Sequence, residues 1–128
     1  MSVMSKDPKL IALLFNECVN NRDVAGLAEL MTEDHTFIDR EGKSGQPKDA
    51  MVRAWRDFFG MFPGYKNTFT RIQSRGEFVI ILGFAYWSEE KPYDPVIWTA
   101  TIRDDHVKEW RVYADTESNR RIFDLMEP

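Results

Sequence analysis

Residues 33–45 read EDHTFIDREGKSG, an alternation of polar and apolar side chains through His35, Phe37 and Asp39 that runs into a charged turn around Gly42. Alternation at a period of two is the pattern of a half-buried strand, so His35, Phe37 and Asp39 share one face. Whether that face meets solvent or lines an interior space decides both the fold and the site. The flanking segments supply the context.

Upstream the period is helical. Ile11, Leu14, Phe15, Cys18 and Val19 form one stripe behind Asp7-Pro8, a cap followed by a first-turn proline. Asn20-Asn21-Arg22-Asp23 breaks that helix, and Asp23 can cap a second one over VAGLAELM. Downstream, Pro47 to about Met61 reads as a third helix with Met51, Val52, Trp55, Phe58, Phe59 and Phe62 on its apolar side; Pro63-Gly64 stops it. From Thr68 onward the residues prefer strands: 68–74, 78–87, 96–103 and 107–114, separated by turns at Arg75-Gly76-Glu77, EEKPYDP and Asp104-Asp105-His106. A last short helix follows Asp115, which is placed to cap it. Helices first and a meander of strands afterwards predicts an α+β fold, helices on one face of an antiparallel sheet.

A chain of 128 residues is expected to form one domain, 1–128, with a single core. With 43% hydrophobic and 13% aromatic residues, disorder is excluded. Seventeen basic against 21 acidic residues give a net charge of −4 with no basic cluster, which argues against a nucleic-acid partner. The single cysteine, Cys18, allows no internal disulfide and fits a reducing compartment. The IALLF run is too short for a signal sequence or a membrane span, so a cytoplasmic protein without a membrane partner is expected.

Two stretches, NNRDVAGLAELMTEDHTFIDREGKSGQPKDAMVRAWRDFF (20–59) and HVKEWRVYAD (106–115), together with the strand spacing, resemble the nuclear transport factor 2-like superfamily. That group includes the SnoaL-like polyketide cyclases, the ketosteroid isomerases and limonene epoxide hydrolase. The resemblance implies a single SnoaL-like domain of cystatin-like shape. In it a strongly curved antiparallel sheet wraps the N-terminal helices into a cone with a hydrophobic pocket at its open end. Sorted by alternation, the inward sets are His35, Phe37 and Asp39; Val96, Trp98, Ala100 and Ile102; and Trp110, Val112 and Ala114. The strand at 78–87 is apolar on both faces and leaves its orientation open. Two apolar faces predict that the outer one is covered, most simply in a homodimer. With helix residues added, the expected binding wall for a small hydrophobic ligand is Phe15, Phe37, Trp55, Phe59, Trp87, Val96, Trp98, Trp110 and Val112.

The resemblance also implies chemistry. In ketosteroid isomerases the acidic residue before the Gly turn is a general base that moves a proton beside a carbonyl, and Asp39 matches that position. Their oxyanion donors fall on Phe15, which cannot donate, and on Trp98, whose indole N–H can. The epoxide hydrolase acid falls on Val112, and the Arg/Asp pair of its long strand has no counterpart in GFAYW, so that activity is rejected. What remains resembles the cyclases, with His35 and Asp39 as a proton-handling pair and no cofactor. Plainer readings stand beside these. Asp39 can cap the EGKSG turn, His35 can be a hydrogen-bonded core residue, and the four tryptophans are core residues first. His35 and His106 are too far apart in sequence, without clustered carboxylates, to suggest a metal. No Gly-rich phosphate loop or serine elbow is present. Two function classes stay open: a cofactor-free isomerase, cyclase or lyase with Asp39 as base, and a non-catalytic dimeric module that binds a ligand or a protein.

Overall fold

The structure, a computed structural model, describes residues 6–125. Asp7 accepts the Lys9 N–H at 2.9 Å and Pro8 fills the first turn, starting helix α1 (Pro8–Asn20). Asp23 caps α2 (Val24–Leu30) by accepting the Gly26 N–H at 2.9 Å. Met31, already extended, leads into strand β1 (Met31–Ile38). The two-residue β2 (Ser44–Gly45) and helix α3 (Lys48–Met61) follow, α3 burying Met51, Trp55 and Phe59. Four long strands complete the sheet: β3 (Lys66–Arg75), β4 (Phe78–Tyr86), β5 (Asp94–Arg103) and β6 (His106–Ala114). Helix α4 (Glu117–Ile122) is capped by Thr116, which accepts the Asn119 N–H at 3.1 Å. Asp115, the expected cap, instead holds Arg120 through both carboxylate oxygens at 2.6 and 2.9 Å.

The six strands form one open sheet in the order β2-β1-β6-β5-β4-β3. Every neighbouring pair is antiparallel except β1 and β6, which run parallel and are separated in the chain by α3 and four strands. One face of this sheet curves over the helices. Val79, Ile81 and Ala85 of β4, Val96, Trp98, Ala100 and Ile102 of β5, and Val107 and Trp110 of β6 pack there against Ile11, Phe15 and Val19 of α1. The orientation of β4 is thereby fixed: its odd-numbered residues face the helices.

The even-numbered set has its own cover. Phe123 and Leu125 fold back onto Ile80 and Ile97, with Phe78, Leu82 and Tyr113 packed around them. Arg75 ties this segment down by donating to the Phe123 carbonyl at 2.9 Å. The apolar character of this patch is therefore met within the chain, and by itself it does not call for a second copy. No helix among the described residues is long and apolar enough to cross a membrane.

Gly83 marks the tightest approach in the sheet. It pairs with Phe69 where β3 bulges between Phe69 and Arg71, and a Cβ there would overlap the Thr68 carbonyl oxygen. Backbone on the far side cannot yield as a flexible side chain would. Gly83→Ala is expected to cost about 2–3 kcal/mol of unfolding free energy. Urea denaturation of the two proteins measures this, and a change within experimental scatter would show that the bulge relaxes freely.

Candidate functional site

The helices cover only part of the concave face. Beyond Phe15, whose ring lies 4.5 Å from that of Trp110, the interior opens into a chamber of about 660 Å³. Its apolar wall comes from four directions: Phe37 at the end of β1, Met51, Ala54, Trp55 and Phe58 of α3, Ala85 and Trp87 at the end of β4, and Val96, Trp98, Trp110 and Val112 of β5 and β6. Aromatic rings brace one another around it. Trp87 meets Phe58, Phe62 and Tyr65 edge-on at 5.7, 5.1 and 4.9 Å, and Trp55 meets Phe37 at 5.9 Å. Phe15 and Phe59 belong to the solid core and not to this wall.

His35 is fully buried and is not among the lining residues. Its Nδ1 lies 2.7 Å from the Val107 carbonyl oxygen, which can only accept, so Nδ1 carries the proton. Nε2 is then an acceptor, and it has no partner. Burial pushes the imidazole below its ordinary value and outweighs the Val107 carbonyl and Asp34, which act in the opposite direction. His35 and Phe37 share the inward face, as their spacing requires, but the histidine sits behind the wall beside Phe15, the two ring centroids 5.9 Å apart. The structure does not bring His35 and Asp39 together on the chamber surface.

Asp39 stands at the chamber mouth, just past the end of β1. Its Oδ1 accepts two backbone N–H groups of its own turn, from Glu41 at 3.0 Å and Lys43 at 2.9 Å, while Gly42 takes the left-handed conformation the turn needs. Among the described residues no hydrogen bond engages Oδ2. The carboxylate is thus aimed by one oxygen and open at the other.

Next to it lies a polar network that the sequence did not announce. Arg40 lines the mouth and reaches Asp94, at the start of β5, through Nη1 at 3.3 Å and Nη2 at 2.5 Å. Asp94 also accepts the Trp87 indole N–H at 2.9 Å, and the Lys91 ammonium stands 3.9 Å away. Burial alone would push the Asp94 carboxyl up, but Arg40, Trp87 and Lys91 together hold it below its ordinary value. The same pairing, against a smaller effect of burial, raises the Arg40 guanidinium, so both groups are charged at neutral pH. Tyr65 and Asn67 complete this side, and burial pushes the Tyr65 phenol well above its ordinary value. Arg40 and Asp94 are 54 positions apart, and EEKPYDP reads locally as nothing more than a turn. No periodicity could have paired them.

The family model of the SnoaL-like domain matches residues 12–110, a span that holds the chamber wall and the mouth. The chain belongs to the SnoaL-like domain family. Solved structures place this SnoaL-like chain in the same fold. A proposed SnoaL-like polyketide cyclase from Shewanella putrefaciens superposes with a TM-score of 0.75 at 14% identity, over 91% of this chain and 86% of that one. An epoxide hydrolase of the limonene type from M. tuberculosis gives 0.71 at 14% identity, over 84% and 82%. TerC, co-crystallised with polyporic acid, gives 0.73 at 15% identity, over 92% and 99%. No curated protein sequence matches this SnoaL-like chain.

The His35 environment has a pH consequence. The folded state keeps the imidazole neutral, whereas the unfolded chain protonates it near pH 6.5. A depressed folded value means that this contribution is fully present above pH 6.5 and is lost progressively as pH falls below it. Unfolding free energy should fall as pH drops below 6.5, in a window above the ordinary range of carboxylates. His35→Asn, whose side-chain amide nitrogen stands where Nδ1 does and can donate to Val107, should flatten the profile; equal slopes in urea titrations of the two proteins would refute the assignment.

Proposed function

We propose that the chamber binds a small apolar carbonyl compound and that Asp39 acts as a general base, moving a proton at the carbon beside the carbonyl. The observation that carries this reading is the Asp39 carboxylate at the mouth of an aromatic chamber, with Oδ1 fixed by two amides and Oδ2 open. A chamber of about 660 Å³ lies within the range of small-molecule sites, and its wall is apolar enough to hold a ring system. Proton abstraction followed by return to another carbon is an isomerisation; attack of the same enolate on a second carbonyl is an aldol closure. Both need a positioned base and no cofactor. TerC, a neighbour of the same fold co-crystallised with polyporic acid, supports a small organic ligand. Epoxide hydrolysis is set aside, because Val112 stands where the resemblance puts that enzyme's acid.

A second reading is favoured by the same Asp39 geometry. Two amides accepted by one oxygen explain the residue as a turn cap without any chemistry, which fits a ligand-binding module. One substitution separates the two. Asparagine keeps an Oδ1 for Glu41 and Lys43 but is not a base, so Asp39→Asn should leave the melting temperature within about 2 °C. Apolar ketones that raise the melting temperature identify ligands. Exchange of their α-protons in deuterated water, followed by NMR, then reads the chemistry directly. Catalysis predicts that the exchange rate falls about 100-fold or more in the variant. Binding without any exchange above the solvent rate, in either protein, would establish the module reading.

A further inference from the structure

An enolate in an apolar chamber needs donors or positive charge at its oxygen, and the positions from which the isomerases draw their donors hold Phe15, buried in the solid core here, and Trp98, which offers a single neutral N–H. We infer that Arg40 fills that role: its guanidinium, held at the chamber mouth by Asp94, stabilises the oxygen that gains charge when Asp39 removes the proton. This rests on the reading of Asp39 as base.

Three observations carry it. Arg40 follows Asp39 directly, and both side chains line the same chamber, so one bound molecule can be offered both a carboxylate and a cation. Asp94 occupies only two of the five N–H donors of the guanidinium, one on each terminal nitrogen, and leaves the others for a ligand. Asp94 is itself buried and fixed by the Trp87 indole, so the fork is held in place before any ligand arrives. Preorganised donors of this kind do not have to reorient as the charge develops.

The charges at the mouth balance in the sense the reaction requires. Arg40, Lys43 and Lys91 face Asp39, Glu41 and Asp94, three cations against three anions. When Asp39 takes the proton, the C–H electron pair becomes the C=C bond of the enolate and the carbonyl π pair moves onto oxygen. Asp39 is then neutral, and the one negative charge it gave up reappears on the substrate oxygen beside Arg40. The total charge of the mouth is unchanged, and no other reactant is needed.

A phenolate is a stable mimic of an enolate, and its ionisation can be read by absorbance and fluorescence without a known substrate. The probe is 2-naphthol, bound to the Asp39→Asn protein, whose asparagine imitates the base after it has taken the proton. An apolar chamber alone would raise the pKa of the bound naphthol above that of the free compound, whereas a guanidinium at its oxygen lowers it. The sign of the shift therefore decides. The expected result is a bound probe that titrates about one unit or more below free 2-naphthol. Adding Arg40→Gln, which removes the charge and the fork, should move the bound value above that of the free compound. Arg40→Lys, which keeps the charge without the fork, should fall between them, and Asp94→Asn should move the value part of the way up by releasing the fork.

A bound naphthol that titrates above the free compound in the Asp39→Asn protein, or one whose value ignores Arg40, overturns the inference. So does a chamber that takes naphthalene but refuses 2-naphthol; the hydrophobic-ligand reading then stands without it. If neither compound binds, the reading of the chamber as a binding site fails together with the role given to Arg40.

Discussion

Phe15 presses on Trp110 from helix α1, and that contact divides the interior of this molecule in two. On one side of it Ile11, Val19, Leu27, Val79, Ala100 and Val107 fill the space between helices and sheet with no exposed surface beyond 1%. On the other side the wall continues through Trp55, Trp98 and Trp110 but nothing fills the centre. A close-packed core resists change in volume, so the chamber inherits a rigid floor. Trp110 serves both sides, as one wall of the core and one wall of the chamber. Helix α1, held on the sheet by that ring pair and by the Asn20 hydrogen bonds to the Asn67 backbone, therefore bounds the chamber on this side.

Much of this was legible in the sequence because the strands on the concave side are amphipathic. β5 presents Val96, Trp98, Ala100 and Ile102 inward, as their alternation indicates. β6 places Trp110 against the core and Val112 beside it in the same way. The caps at Asp7 and Asp23 were equally local, each requiring only a carboxylate ahead of a helical stripe. β4 could not be oriented because both of its faces are buried, one under the helices and one under Phe123 and Leu125. The C-terminal cover is a contact between residues more than forty positions apart in the chain, and a strand's own pattern carries no information about what lies on it. Phe15 and Phe59 failed to reach the chamber for a similar reason. A helical stripe says which residues face inward, but not whether the space they meet is filled.

The mouth shows the limit most clearly. EDHTFIDREGKSG fixes the face of Phe37 and places Asp39 at a turn, which is how the folded chain has them. His35, on the same face, meets the Val107 carbonyl first and is consumed by the core. Sharing a face with the chamber wall is thus weaker than lining it, because two residues along a strand advance by about 6–7 Å. Over that distance the environment passes from solid packing to open space.

The Arg40–Asp94 pair bears on what the mouth is for. Its side chains are 30% and 10% exposed, so much of their hydration is lost, and the attraction between them is largely offset by that loss. A pair of well-packed apolar residues would join the turn after β1 to the start of β5 at least as firmly. Fold stability is thus a poor account of why a guanidinium stands here. The pair differs from an apolar substitute in one respect that a ligand would feel: it leaves unspent N–H donors of a permanent cation at the edge of an apolar space. Low dielectric on the chamber side lengthens the reach of that charge, while solvent on the other side lets Arg40 keep it without the full cost of burial. Charge held at such a boundary acts most strongly on a molecule that places its apolar body inside and its oxygen at the rim.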